Sequence, residues 1–137
     1  MLDWLSLTLL AALTAALLFG GMVYFAILFT PLTFRHLPRE TAGAFLRQVF
    51  PAYYLSGTLL AGLAGLFALW PRPMEGAILL LVAFGFAYAR VILLPQIDSA
   101  REQDGERFRL LHRVSVVVNL LQLVAVVLIL VALILAA

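Results

Sequence analysis

The sequence predicts an all-α integral membrane protein: an antiparallel bundle of four transmembrane helices with a short interfacial amphipathic helix between the first two. Of the 137 residues, 65% are hydrophobic and only 12% are charged. The mean hydropathy of +1.11 is typical of membrane proteins rather than of soluble domains. The hydrophobic residues fall into four stretches, each long enough, or nearly so, to cross a hydrocarbon layer of about 30 Å as a helix.

The four predicted spans cover about residues 4–30, 49–70, 76–94 and 106–136, within a single domain of residues 1–137. The first span could be mistaken for a secretory signal peptide. It lacks a basic start, runs too long and shows no small-residue cleavage site, so we expect it to remain as a helix. Pro71, Arg72 and Pro73 form a short link, which predicts a tight hairpin between the second and third spans.

A short amphipathic helix is predicted over about residues 40–49. Its apolar residues follow the i, i+3, i+4, i+7 spacing of one helical face, namely Ala42, Phe45, Leu46 and Val49. Such a helix is expected to lie in the membrane interface. Pro51 has no N–H to bond the carbonyl of Arg47, which predicts a kink where this helix enters the second span.

The arginines predict the orientation. The segments 31–48 and 95–109 and their borders hold Arg35, Arg39, Arg47, Arg90, Arg101, Arg107, Arg109 and Arg113, whereas the other side holds only Arg72. The positive-inside rule then places both arginine-rich loops in the cytoplasm and both termini outside, as expected for a prokaryotic inner or plasma membrane. Because these basic groups lie beside the membrane, they indicate no nucleic-acid partner, and the lipid bilayer is the expected one.

Small residues recur at four-residue spacing in the second span, as Gly57, Ala61 and Gly65. Small residues let helices approach closely in a bilayer. This pattern predicts either a packing seam within the bundle or the contact face of a homo-oligomer.

A polar stripe marks the last span, which is otherwise built of Leu, Val, Ile and Ala. Its members are separated by three, four and three residues, and they are His112, Ser115, Asn119 and Gln122. At about 100° per residue they share one face of the helix. Polar groups facing lipid would lose their hydrogen bonds to water without replacement. The stripe is therefore expected to face protein, trapped water or a ligand.

Other polar residues are predicted at a similar depth in the cytoplasmic half, namely Tyr24, Tyr53, Tyr54 and Arg90. A cation such as Arg90 is costly within the apolar zone. Its long side chain can reach the headgroups. Alternatively, it turns inward to Asn119, a tyrosine hydroxyl or Asp98, as a structural clamp or an anion-binding group. Together with the stripe, Arg90, Tyr24 and Tyr54 are the candidate pocket residues.

His112 has three interpretations: a hydrogen-bonded interfacial residue, a group that titrates near neutral pH, or a ligand to a metal or haem. His36, the other histidine, is expected on the same side of the membrane, so the two could act together. The chain contains no cysteine, which excludes disulfides and thiolate sites. Ser115 lies one turn from His112, but no oxyanion-hole motif accompanies them. We therefore expect no enzyme and no cofactor, with haem or metal binding as the alternative.

Several motifs resemble the transmembrane protein 205-like family. They are, in chain order, Gly20-Gly21-Met22, Phe34-Arg35, Leu37-Pro38-Arg39, Phe50-Pro51, Tyr53-Tyr54, Arg90 five residues before Pro95, and Leu111-His112 with Ser115 and Asn119. The resemblance covers nearly the whole chain. It implies the fold of a small four-helix membrane family catalogued as a domain of unknown function. It implies no established reaction, only a loose association of some members with resistance or export phenotypes.

Three functions remain open from the sequence. The favoured one is a polar pocket in the cytoplasmic half that binds or helps move a small solute, an ion or a lipid headgroup. The second is a haem- or metal-binding membrane protein that uses His112 and possibly His36. The third is a structural subunit of a larger membrane complex, in which the polar stripe only locks the bundle.

Overall fold

The computed structural model describes residues 2–136, with the side chains of residues 2–6 and 102 left out of the description, and it is helical almost throughout. The elements are α1 (Leu2–Val23), a π-helical turn (Tyr24–Phe29), α2 (Thr30–His36), α3 (Arg39–Leu69), α4 (Pro73–Tyr88), a second π-helical turn (Ala89–Leu93), α5 (Leu94–Gln103) and α6 (Gly105–Ala136). No β-strand occurs over these residues, and the predicted all-α fold is confirmed.

Four long helices are apolar enough and long enough to cross a membrane. They are Leu7–His36, Arg39–Leu69, Pro73–Arg101 and Gly105–Ala136, called here the first to fourth long helices. The protein is therefore integral to a membrane. Many large apolar side chains on the outside of the bundle are exposed, as expected where the solvent is lipid.

The first and third long helices extend beyond the predicted spans 4–30 and 76–94, through Pro31 and Pro95. Each passes its proline by way of a π-helical turn that finishes two residues earlier. In these turns Thr30 donates its N–H to the carbonyl of Phe25, and Leu94 donates to that of Ala89, both five residues back. A proline ring crowds the preceding turn of an α-helix and lacks an N–H. The wider turn lets the helix continue, so that α2 and α5 extend beyond Pro31 and Pro95.

The segment 40–49 is helical, as expected, but it is continuous with the second span rather than a separate element. α3 begins at Arg39 and runs through Pro51 to Leu69. On the predicted apolar face Ala42 and Leu46 are buried, whereas Phe45 is 45% exposed. The face is therefore buried in part against the rest of the bundle.

The four long helices pack as a ring. α1 contacts α3 and α6, and α4 contacts the same two helices, with α3 and α4 in the most extensive contact. At the end that holds both termini and the 70–72 link, the core consists of small and aliphatic side chains, among them Ala11, Ala15, Ala64, Ala68, Leu79 and Leu133, all fully buried. In the link itself Arg72 Nη2 lies 2.8 Å from Glu75 Oε1. This end of the bundle is closely packed.

The small residues of the second span form the seam between α3 and α4. A Cβ added to Gly57 would lie 2.7 Å from the Phe86 ring, and one added to Gly65 would lie 3.0 Å from the carbonyl oxygen of Gly76. Ala61 is fully buried. This stripe is occupied by α4 of the same chain, which leaves no room there for the second protomer considered from the sequence.

Candidate functional site

The bundle is open at the end where most arginines lie, called here the arginine-rich end. α1 packs against α6, but α2 packs against α3 and makes no comparable contact with α6 over the described residues. The resulting cleft has a volume of about 980 Å³. Its polar lining consists of Thr30, Arg39, Glu40, Arg47, Tyr53, Tyr54, Asp98, Arg101, His112, Ser115 and Asn119. Its apolar lining consists of Phe25, Ala26, Phe34, Gly43, Leu46, Phe50, Leu94, Ile97, Phe108, Val116 and Leu120.

The deep end of the cleft is formed by uncharged polar groups, Tyr53, Tyr54, Ser115 and Asn119. The Tyr53 hydroxyl donates to Asn119 Oδ1 at 3.1 Å. Tyr54 is only 6% exposed, and it lines the cleft together with Ser115. The Tyr53–Asn119 hydrogen bond joins α3 to α6 across the apolar interior, where an unpaired polar group would be costly.

An aromatic cluster holds Tyr53 in place. The rings of Phe25 and Tyr53 are stacked with centroids 4.2 Å apart, and the Phe50 ring lies edge-on to Phe25 at 5.4 Å. Phe25 belongs to the first π-helical turn. π-helical turns in α-helices often occur at functional sites. Here the turn brings Phe25 and the following Ala26 to the cleft wall.

Gln122 is the member of the polar stripe farthest from the arginine-rich end. It lies outside the cleft lining and contacts α4. It is buried, and its Nε2 donates to the carbonyl oxygen of Val82 at 3.0 Å. A Cβ on Gly85 would lie 2.6 Å from the same nitrogen, so the absence of a side chain there makes room for the amide. The contact acts as a link between α4 and α6.

His112 lies on the cleft wall nearer the arginine-rich end. Its ring stacks on Phe108, with centroids 6.0 Å apart. Its backbone carbonyl accepts a 2.9 Å hydrogen bond from the Ser115 hydroxyl. His36 is exposed at the end of α2 and does not line the cleft. Within the described part of the chain, no three His, Cys, Asp or Glu side chains come together as a metal site would require.

The mouth of the cleft carries charged groups that are not among the residues predicted for the candidate site. They are Arg39, Glu40, Arg47, Asp98 and Arg101. Those on α3 share a face that continues to the deep end, since two series of residues, 39, 43, 46, 50, 53 and 40, 43, 47, 50, 54, follow spacings of three and four. This periodicity was the available signal, and it is visible only if the helix is taken as continuous through Pro51.

Besides Gln122, two further candidate residues lie outside the cleft lining. Arg90 is exposed, and its Nε donates to the carbonyl oxygen of Pro51 at 3.1 Å. This partner differs from those considered from the sequence. Tyr24 is 60% exposed and borders a separate, mostly apolar groove of about 240 Å³ between the first and second long helices. Its neighbour Phe25 takes the position in the cleft that was expected for Tyr24.

The sequence model of one family, described as a domain of unknown function (DUF4149), matches residues 13–106. The chain belongs to this family. The matched DUF4149 region includes the cleft residues of the first three long helices and ends before the polar stripe of α6. No curated protein and no solved structure matches the chain.

Proposed function

We propose that this membrane protein binds a small solute, an ion or a lipid headgroup in the cleft at its arginine-rich end. The observation that supports the proposal is the collection of His112, Ser115, Asn119 and two tyrosines around one large space. A volume of about 980 Å³ lies at the upper end of the usual range for ligand sites, about 300–1,000 Å³. Such sites combine mostly apolar walls with a few convergent polar groups.

The proposed function is to bind a ligand in the cleft, and it does not include conduction of that ligand across the membrane through a single chain. A transport path needs polar or water-lined surface across the membrane. Beyond Gln122 nearly all of the buried core consists of alanine, leucine, isoleucine and valine side chains, and Thr8 is the one buried polar side chain described at that end. Movement of a ligand across the membrane would therefore require a rearrangement, an oligomer or a partner.

The proposed orientation puts the cleft on the cytoplasmic side. Arginine is concentrated at the cleft end of the bundle, and the positive-inside rule relates such an excess to the cytoplasmic face. Both termini and the 70–72 link would then lie outside. The motifs that resemble the transmembrane protein 205-like family include the same polar groups, Tyr53-Tyr54, His112, Ser115 and Asn119.

A cleft-filling substitution tests the proposal. Ser115→Trp would fill the cleft, whereas Val117→Trp adds the same ring to an exposed position two residues away, outside the cleft lining. Thermal unfolding of the full chain, purified in mild detergent, would be followed with inorganic phosphate and with polar lipids extracted from the expression host. A ligand that binds only the folded state raises the melting temperature.

We expect at least one of these two probes to stabilise the native chain and Val117→Trp but not Ser115→Trp. If neither probe stabilises the native chain, or if Ser115→Trp responds as fully as Val117→Trp, the cleft is not a binding site for these ligands. The polar stripe would then be a structural lock, as in the subunit alternative.

A further inference from the structure

The cleft has two unlike parts, a cationic mouth and an apolar opening at the side of the bundle. Resting on the proposed function, we propose that its ligand is an anionic phospholipid, with the phosphate between Arg47 and Arg101 and an acyl chain between the first and fourth long helices. The anionic head of such a lipid matches the cationic mouth, and its apolar tail matches the apolar side opening.

The charges of the described side chains at the mouth of the cleft do not balance. It carries three cations and two acids, Arg39, Arg47, Arg101, Glu40 and Asp98. Among the side chains that the structure describes, none of the five takes part in an ion pair. Arg101 is close enough to Arg47 to be repelled by it and close enough to Asp98 to be attracted by it. Together these five residues carry one net positive charge, which would attract an anion.

Arg101 is the best-placed phosphate ligand of the three arginines. It is half-buried, and its guanidinium carbon lies 4.9 Å from the centre of the Phe108 ring. This stacking restricts the side chain before any ligand binds. A planar guanidinium matches two phosphate oxygens at once. A phosphate between Arg101 and Arg47 would also relieve the repulsion between the two cations.

The side opening indicates that the ligand has an apolar tail. Exposed Ala26 and Phe34 on the first long helix and exposed Val116 and Leu120 on α6 line the cleft, where α2 and α6 separate. A water-soluble ion would gain nothing from these walls. A lipid could enter sideways from the bilayer, keeping its acyl chain against apolar surface.

The deep end offers hydrogen bonds to the uncharged middle of a lipid. Tyr53 uses Asn119 Oδ1, which leaves the amide Nδ2 with no protein hydrogen bond among the described residues. That nitrogen is not among the buried unpaired atoms, so a ligand can reach it. The ester and glycerol oxygens of a phospholipid are acceptors of the required kind.

Native mass spectrometry of the full chain, released from mild detergent, would test the proposal. The probes are dioleoyl phosphatidylglycerol and dioleoyl phosphatidylcholine, which share acyl chains and differ in net charge, and inorganic phosphate. We expect one phosphatidylglycerol to bind at least about tenfold more tightly than phosphatidylcholine. We expect the double variant Arg47→Gln/Arg101→Gln to lose this preference.

Two matched controls separate the phosphate contact and the tail path from general effects. Arg35→Gln/Arg113→Gln removes the same charge from exposed positions at the same end, outside the cleft lining, and should keep the preference. Ala26→Trp should weaken phosphatidylglycerol binding by blocking the side opening. Ile27→Trp, on an exposed neighbour outside the cleft, should leave it unchanged.

The outcomes distinguish this inference from the proposed function. Equal binding of the two lipids, an equal loss in both double-arginine variants, or unchanged binding to Ala26→Trp would overturn the lipid assignment. If inorganic phosphate alone binds, and Ser115→Trp abolishes that binding, the cleft is a site for a free anion and only the lipid assignment fails. If no probe binds in a way that depends on the cleft, both proposals fail.

Discussion

Polar residues within the bundle have two different roles at the residue scale. Gln122 and Val82 link α6 to α4 in a buried hydrogen bond. Tyr53 and Asn119 link α3 to α6 at the deep end of the cleft. The first pair lies below the cleft, whereas the second also borders the proposed ligand space. Substitutions in the first pair should therefore affect stability alone, whereas those in the second should also affect the proposed ligand binding.

A double-mutant cycle on Tyr53 and Asn119 should measure the strength of their hydrogen bond. Tyr53→Phe and Asn119→Ala each remove one partner, and the double variant removes both. Interhelical hydrogen bonds in membranes contribute about 0.6 kcal/mol on average, because the unfolded helices also find partners. We expect a coupling of about this size in the free energy of unfolding, measured by denaturation in mixed micelles. Strictly additive effects would show that the two groups do not interact.

The polar stripe could be located from sequence because its helical spacing is local. The partners of its members could not, because they are distant in the chain. Gln122 bonds a carbonyl 40 residues away, and Arg90 bonds that of Pro51, 39 residues away. Because every residue has a backbone carbonyl, the sequence does not indicate which one a side chain will contact. The exposed position of Tyr24 could not be predicted for a different reason. The π-helical turn changes which aromatic ring faces inward, and the sequence does not reveal that turn.

At the element scale, the apolar stretches predicted the existence and order of the four long helices but not all of their ends. The sequence predicts spans that end just before Pro31 and Pro95, whereas the helices continue through both prolines. Continuity depends on packing of the following turns, where Ile97 and Ala100 are 5% and 4% exposed. The charged residues of α5 reach the cleft because the third long helix continues past Pro95, and those of α3 reach it because the segment 40–49 continues into the second span.

Along the seam between α3 and α4, some glycines should tolerate an added side chain and others should not. A Cβ on Gly57 would meet three atoms of the buried Phe86 ring within 2.8 Å, whereas one on Gly62 would meet only Ala83 Cβ at 3.9 Å. Overpacking of this kind costs about 1–3 kcal/mol. Alanine otherwise favours a helix over glycine by up to about 1 kcal/mol.

We therefore expect Gly57→Ala to lower the free energy of unfolding and the matched variant Gly62→Ala to leave it unchanged or raise it. Denaturation of both purified variants in mixed micelles would provide the comparison. Equal stabilities for the two variants would show that α3 and α4 are not in close contact at Gly57.

At the scale of the whole molecule, the two ends of the bundle differ in packing and in charge. One end is closed by small apolar side chains and holds a single arginine, Arg72, paired with Glu75. The other end is open and carries the remaining arginines. The two properties coincide, so the orientation of the protein determines which side of the membrane has access to the cleft.

Labelling of single cysteines should establish that orientation, because the chain has no cysteine of its own. Met74→Cys introduces a thiol beside the 70–72 link at a position that is 73% exposed. Ser99→Cys introduces one on the exposed surface of α5. A membrane-impermeant thiol reagent added to intact bacterial cells should label Met74→Cys, whereas Ser99→Cys should react only after the membrane is opened. The positive-inside rule requires this order, because the arginine excess lies on the side of Ser99. The reverse pattern would put the cleft outside the cell, where an anionic ligand would have to come from the outer leaflet or the external medium.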